Sequence, residues 1–165
     1  MKTRTGFVSN SSSSSFIIGF PRQVVSADDM HSLMFPNGPR VIAHYGHHMT
    51  SENAARRVFE DIQEDKPLTP EEMVDAFREG SAVCSSPIPF PSNNYWELPD
   101  GEYEKARDKY IVDRDAAAKK LADLLIAENP GTTFYGLDYG DRWGESAMEH
   151  GDPFCNLVHI RVNNH

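Results

Sequence analysis

Residues 100–139 read DGEYEKARDKYIVDRDAAAKKLADLLIAENPGTTFYGLDY, and this stretch decides the fold class. Tyr103, Ala106, Tyr110, Ala117, Leu121, Leu124 and Leu125 recur at helical spacing on one face, while Glu104, Lys105, Asp108, Lys109, Lys119 and Lys120 fill the rest. Asn129-Pro130-Gly131 stops the pattern, since proline cannot continue a helix and glycine suits its end. The spacing predicts one long helix over 100–128, the spine of the fold. From Thr132 to Tyr139 the character turns β-branched and aromatic, which predicts a strand. A second strand is predicted at Cys155 to Val162, with Val158, Ile160 and Val162 on one face and Leu157, His159 and Arg161 on the other.

Upstream, local signals give several shorter helices. Ser26-Ala27-Asp28-Asp29 opens one, with Ser26 as cap and acidic residues in the first turn, and the turn Pro36-Asn37-Gly38-Pro39 follows it. Arg40 to His44 predicts a strand. Thr50-Ser51-Glu52-Asn53 opens a second helix, whose Ala54, Ala55, Val58, Phe59 and Ile62 form one apolar stripe. Thr69-Pro70-Glu71-Glu72 predicts a third, with Pro70 in the first turn, Glu72 completing a capping box and Gly80 as terminator. Residues 85–99 are rich in Pro, Ser and Asn and predict a loop packed down by Phe90, Tyr95 and Trp96. Asp141 to His150 predicts a loop with a helical turn. The sum is one α+β domain over residues 1–165, with a small mixed or antiparallel sheet packed against several helices, one of them long.

Residues 1–15 are polar and end in five serines, Ser11 to Ser15. Such a run is ordinarily a flexible linker. Its position between Gly6-Phe7-Val8 and Phe16-Ile17-Ile18 also admits a tight loop joining two strands, so residues 1–15 are expected to be an arm or a strand–loop. Phe16 to Phe20 predicts a short buried strand, stopped by Pro21.

The 165 residues carry a formal net charge of −9, with 16 basic residues scattered in short runs. Nucleic-acid backbones require clustered Lys and Arg, so generic nucleic-acid binding is disfavoured and a basic protein surface suits this charge better. Cys84 and Cys155 are too few for a disulfide framework and lack zinc-site spacing. The apolar run near the N-terminus is shorter than a signal-peptide core, and no stretch has the length of a membrane helix. These observations predict a cytoplasmic protein without membrane association.

Two polar clusters are candidates for chemistry. His44, His47 and His48 lie just past a predicted strand, where neighbouring imidazoles suit a divalent metal. The plain alternative is an exposed loop. Asp138, Asp141, Glu145, Glu149, His150 and Asp152 form the second cluster, with Glu145 and Glu149 spaced to share a helix face. Its plain alternative is a solvated acidic connection. If the fold brings His44 and His47 to Glu149, His150 and His159, that mix of ligands would suit a hydrolytic Zn²⁺ or Mn²⁺ centre. No nucleophile-elbow motif is present. The partner-binding candidates are Phe90, Tyr95, Trp96 and Trp143.

The opening Arg4-Thr5-Gly6-Phe7-Val8-Ser9-Asn10, followed by Ser11 to Ser15 and Phe16-Ile17, resembles the start of small uncharacterised proteins of bacteriophages and bacteria. The resemblance implies a phage or prophage origin, hence the host cytoplasm or a virion, and carries no catalytic residue or cofactor. The expectation is a non-enzymatic accessory protein that binds another protein of the host or virion. The alternatives are a metal-dependent hydrolase using the histidine and carboxylate clusters, and a self-assembling subunit.

Overall fold

The computed structural model describes residues 13–44, 46–80, 82–92, 94–140 and 146–163. Strands β1 (Ser13–Phe20), β4 (Ala82–Cys84), β5 (Thr133–Gly140) and β6 (Val158–Asn163) form an antiparallel sheet in the order β4-β6-β1-β5. A hairpin of β2 (Val41–His44) and β3 (His47–Thr50) stands apart from it. The helices are α1 (Ala27–Met34), α2 (Ser51–Glu64), α3 (Pro70–Glu79), α4 (Asp100–Glu128) and α5 (Ser146–His150), with a 3₁₀ turn at Asn94–Glu97. Among the described residues no helix is long and apolar enough to cross a membrane. The α+β class and the single long helix stand as expected.

β1 lies between β5 and β6 and is covered on both faces. On one side Phe16, Ile18 and Phe20 pack with Met30, Met34, Val58, Met148 and Phe154, from α1, α2, α5 and the loop after it. On the other, Ile17 packs with Ile160, Val162, Phe77, Leu121 and Leu125, from β6, α3 and α4. Double-sided burial explains why Phe16-Ile17-Ile18-Gly19-Phe20 is apolar throughout, where a half-exposed strand alternates. Gly19 meets a close approach, since a Cβ there would lie 2.7 Å from Thr132 Cγ2 and 2.8 Å from Phe134 Cε1.

The capping signals act as their chemistry requires. Thr69 N–H donates to Glu72 Oε2 at 2.8 Å, and Glu72 N–H donates to Thr69 Oγ1 at 3.2 Å. Gly80 ends α3 with an ordinary φ of −63°, so its role is space rather than a left-handed turn. A Cβ there would sit 2.2 Å from Val162 Cγ1. The carbonyls at this helix end are taken by Arg114 of α4, which donates to Arg78 O at 2.9 Å, to Phe77 O at 3.2 Å and to Gly80 O. Arg114 is buried, its guanidinium lying 5.4 Å from the Phe90 ring centroid and 5.8 Å from that of Tyr110.

Three differences from the sequence reading have local causes. The strand expected from Phe16 begins at Ser13, because neighbouring strands extend far enough to pair with Ser14 and Ser15. Ser13 to Ser15 therefore belong to the sheet rather than to an arm, and residues 1–12 lie outside the described residues. His47 and His48, expected in a loop, occupy β3, which pairs with β2 through a turn holding Gly46 at φ 83°. The apolar stripe of α4 is interrupted, with buried side chains confined to Arg114, Ala117, Ala118, Leu121, Ala122 and Leu125.

Arg114→Met is expected to cost about 2–4 kcal/mol in urea unfolding, since it strips buried carbonyls of their donor while keeping side-chain bulk. A second test concerns pH. Tyr139 Oη donates to Asp61 Oδ2 at 3.0 Å, and Arg57 Nε lies 3.2 Å from the same oxygen. Burial nevertheless pushes the Asp61 carboxyl above its ordinary value, outweighing the pull of Arg57 and the hydroxyl. A raised carboxyl favours the fold below the ordinary pKa, and that advantage is lost as pH rises through the raised value. Melting curves at pH 3, 5 and 7 should show Asp61→Asn gaining stability relative to wild type with rising pH; a constant difference would refute the assignment.

Candidate functional site

The strongest polar constellation begins with the serine run. Ser14 lies opposite Tyr139 on one side and Asn163 on the other, and is fully buried. Its hydroxyl donates to Glu149 Oε1 at 2.9 Å and accepts from Arg161 Nη2 at 2.6 Å and Nε at 3.1 Å. Arg161 Nη2 stands 3.6 Å from Glu149 Oε1, Nε also donates to Asn163 Oδ1 at 3.0 Å, and the guanidinium lies 5.9 Å from the Phe16 ring centroid. Strand alternation places Ser15 on the opposite face, where its hydroxyl donates to Asp138. Two successive serines of the central strand thus each hold a carboxylate, one on either side of the sheet.

Glu149 is only 4% exposed, so the acidic segment is not a solvated connection throughout. Leaving a carboxylate in a low-dielectric interior requires compensation, which Arg161 and Ser14 supply at Oε1. Among the described residues Oε2 accepts no hydrogen bond, although His150 Nε2 is 3.3 Å away and provides a counter-charge when protonated. The order in space is imidazole, carboxylate, hydroxyl. Nucleophilic catalysis requires the base between the acid and the hydroxyl, together with access for substrate. Ser14 has neither. The arrangement ties β1, β6 and α5 together.

A similar reading applies to Ser51, whose Oγ lies 2.8 Å from His31 Nε2 and 3.3 Å from Glu52 Oε2 and accepts the Arg40 N–H at 3.1 Å. Ser51 is fully buried, so this serine–histidine contact joins α1, the approach to β2 and the start of α2. Substrate cannot reach it.

The remaining metal candidates are distributed as follows. His44 and His47 are cross-strand partners in the hairpin, His47 and His48 are exposed, and the side chain of His44 lies outside the described ones. α5 packs on both hairpin strands, which brings Glu149 and His150 to the same side of the sheet as β2 and β3. His159 is engaged elsewhere, with Nδ1 3.1 Å from Leu157 O and Nε2 3.9 Å from Asp152 Oδ1. Asp141 and Glu145 lie outside the described residues. Among those described, no three His, Cys, Asp or Glu side chains are grouped to hold a metal ion.

The aromatic candidates separate into two groups. Phe90 is packed on the core beside Arg114 and borders an open cleft of about 410 Å³ between β4 and the loop at residues 85–92. Tyr95 is the hub of a second group, with ring centroids 4.8 Å from Trp96, 5.5 Å from Tyr103 and 5.2 Å from Tyr110. Trp96 is 59% exposed, Leu98 39%, Ile111 44% and Val112 66%. Trp143 lies outside the described residues.

No protein-family model, curated protein or solved structure matches the chain.

Sequence reasoning passed over Ser14, Asn163, Ser51 and Arg114, whereas Arg161 stood out as a cation able to neutralise part of the acidic cluster and does lie 3.6 Å from Glu149. A signal existed for Arg114, a charged residue on the apolar face between Tyr110 and Ala117. For Ser14 none existed, since five identical residues in a row do not distinguish strand from linker. Ser14→Ala should destabilise the fold by about 1–3 kcal/mol in urea unfolding, as expected for a buried hydroxyl whose loss orphans its partners. A serine in a solvated linker would cost less than about 0.5 kcal/mol, and that result would dismantle the assignment.

Proposed function

We propose that this chain is a non-enzymatic accessory protein of bacteriophage type that acts by binding another protein. The observation carrying this reading is the surface where the 3₁₀ turn meets the first half of α4. Trp96 is 59% exposed there, and Leu98 in the turn and Ile111 and Val112 on α4 are likewise more exposed than large apolar side chains in a core. Tryptophan and tyrosine supply large contact area at small conformational cost and dominate interface energetics. From residue 94 to 113, six acidic side chains (Glu97, Asp100, Glu102, Glu104, Asp108, Asp113) outnumber three basic ones (Lys105, Arg107, Lys109). That balance suits an apolar partner surface rimmed by Lys and Arg. The phage assignment rests on the N-terminal resemblance from Arg4 to Ile17. Location in the host cytoplasm or in a virion follows from that assignment and belongs to the same proposal.

The buried serines, Glu149, Arg161 and Arg114 support the reading from the other side, because each is committed to holding the fold. Immobilised protein incubated with bacterial host lysate should retain a specific protein, and Trp96→Ala should weaken that retention at least about tenfold without lowering the melting temperature. Retention undiminished in the variant would remove this surface from consideration. Light scattering on the purified chain distinguishes a second copy as the partner.

A further inference from the structure

Residues 101–113 of α4 contain no buried side chain, whereas Arg114 to Leu125 carry all of the buried ones in this helix. The geometry of α3 accounts for the division. Ten residues rise about 15 Å, which matches 114–125 and leaves roughly 20 Å of α4 beyond the length of α3. The first half also lacks intrinsic support. Pro99 occupies the cap position with no side-chain cap bond, Gly101 follows, and Ile111 and Val112 are β-branched. The ion pair of Lys109 with Asp113 is exposed and adds about 0.3–0.5 kcal/mol. An isolated helix of about 14 residues is marginal in water.

What remains to order it is Tyr95, whose ring contacts Tyr103 and Tyr110 one heptad apart, with Arg114 Nη1 donating to the Tyr110 hydroxyl at 3.1 Å. We infer that residues 100–113 form a separately melting half-helix, held in helical form by the Tyr95 clamp. The clamp is then a conformational device. It sets whether Ile111 and Val112 are displayed on a helix, and a ligand binding the helical form shifts the population toward it.

Hydrogen–deuterium exchange on the full chain tests it. Amides of residues 104–113 should exchange on the order of 100-fold faster than those of 118–125, as expected when one segment opens below the global unfolding free energy. Tyr95→Ala should abolish protection in 104–113 and leave 118–125 protected, while Tyr95→Phe, which keeps the ring contacts, should retain it. Equal protection of the two halves in wild type would overturn the inference. So would a Tyr95→Ala variant with unchanged 104–113, or one that loses protection in both halves together.

Discussion

A strand buried on both faces cannot tolerate an unsatisfied polar side chain, and β1 carries two serines in that position. Backbone pairing to β5 and β6 meets the main-chain requirement, but each hydroxyl needs its own partner. Ser14 and Ser15 meet it with carboxylates on opposite faces, and the carboxylate of Glu149 in turn requires Arg161. The central strand is thereby bonded to α5, β5 and β6 by side chains as well as by the ladder.

A second polar knot governs the other layer. Among the described residues Arg114 pairs with no carboxylate; its charge is met by the carbonyl end of α3, where the helix dipole is negative. The same guanidinium lies near the Phe90 and Tyr110 rings. One side chain therefore joins α3, the loop at residues 85–92 and the midpoint of α4. Beyond it toward the N-terminus, α4 carries the ring contacts of Tyr95 with Tyr103 and Tyr110 and the exposed ion pair of Lys109 with Asp113. Burial is divided along one helix, with the packed half anchored in the core and Ile111 and Val112 exposed in the other.

The catalytic-looking contacts follow the same logic. Serine beside histidine at Ser51 and His31, or serine beside glutamate at Ser14 and Glu149, are ways of satisfying buried groups. Access separates a structural hydrogen bond from a reactive one, and neither hydroxyl has it.

The sequence by itself determined the elements whose signals are local. Periodicity located α4 end to end, hydrogen-bonding chemistry located the Thr69 capping box, and the alternation of Ile160 and Val162 with His159 and Arg161 set the faces of β6. Tertiary structure alone decided the rest. Whether Ser13 to Ser15 form a strand depends on neighbours more than a hundred residues away, and whether Glu149 is solvated or buried depends on where α5 lands on the sheet. Local patterns report the conformation a segment prefers, whereas burial and the pairing of polar groups arise only when distant segments meet.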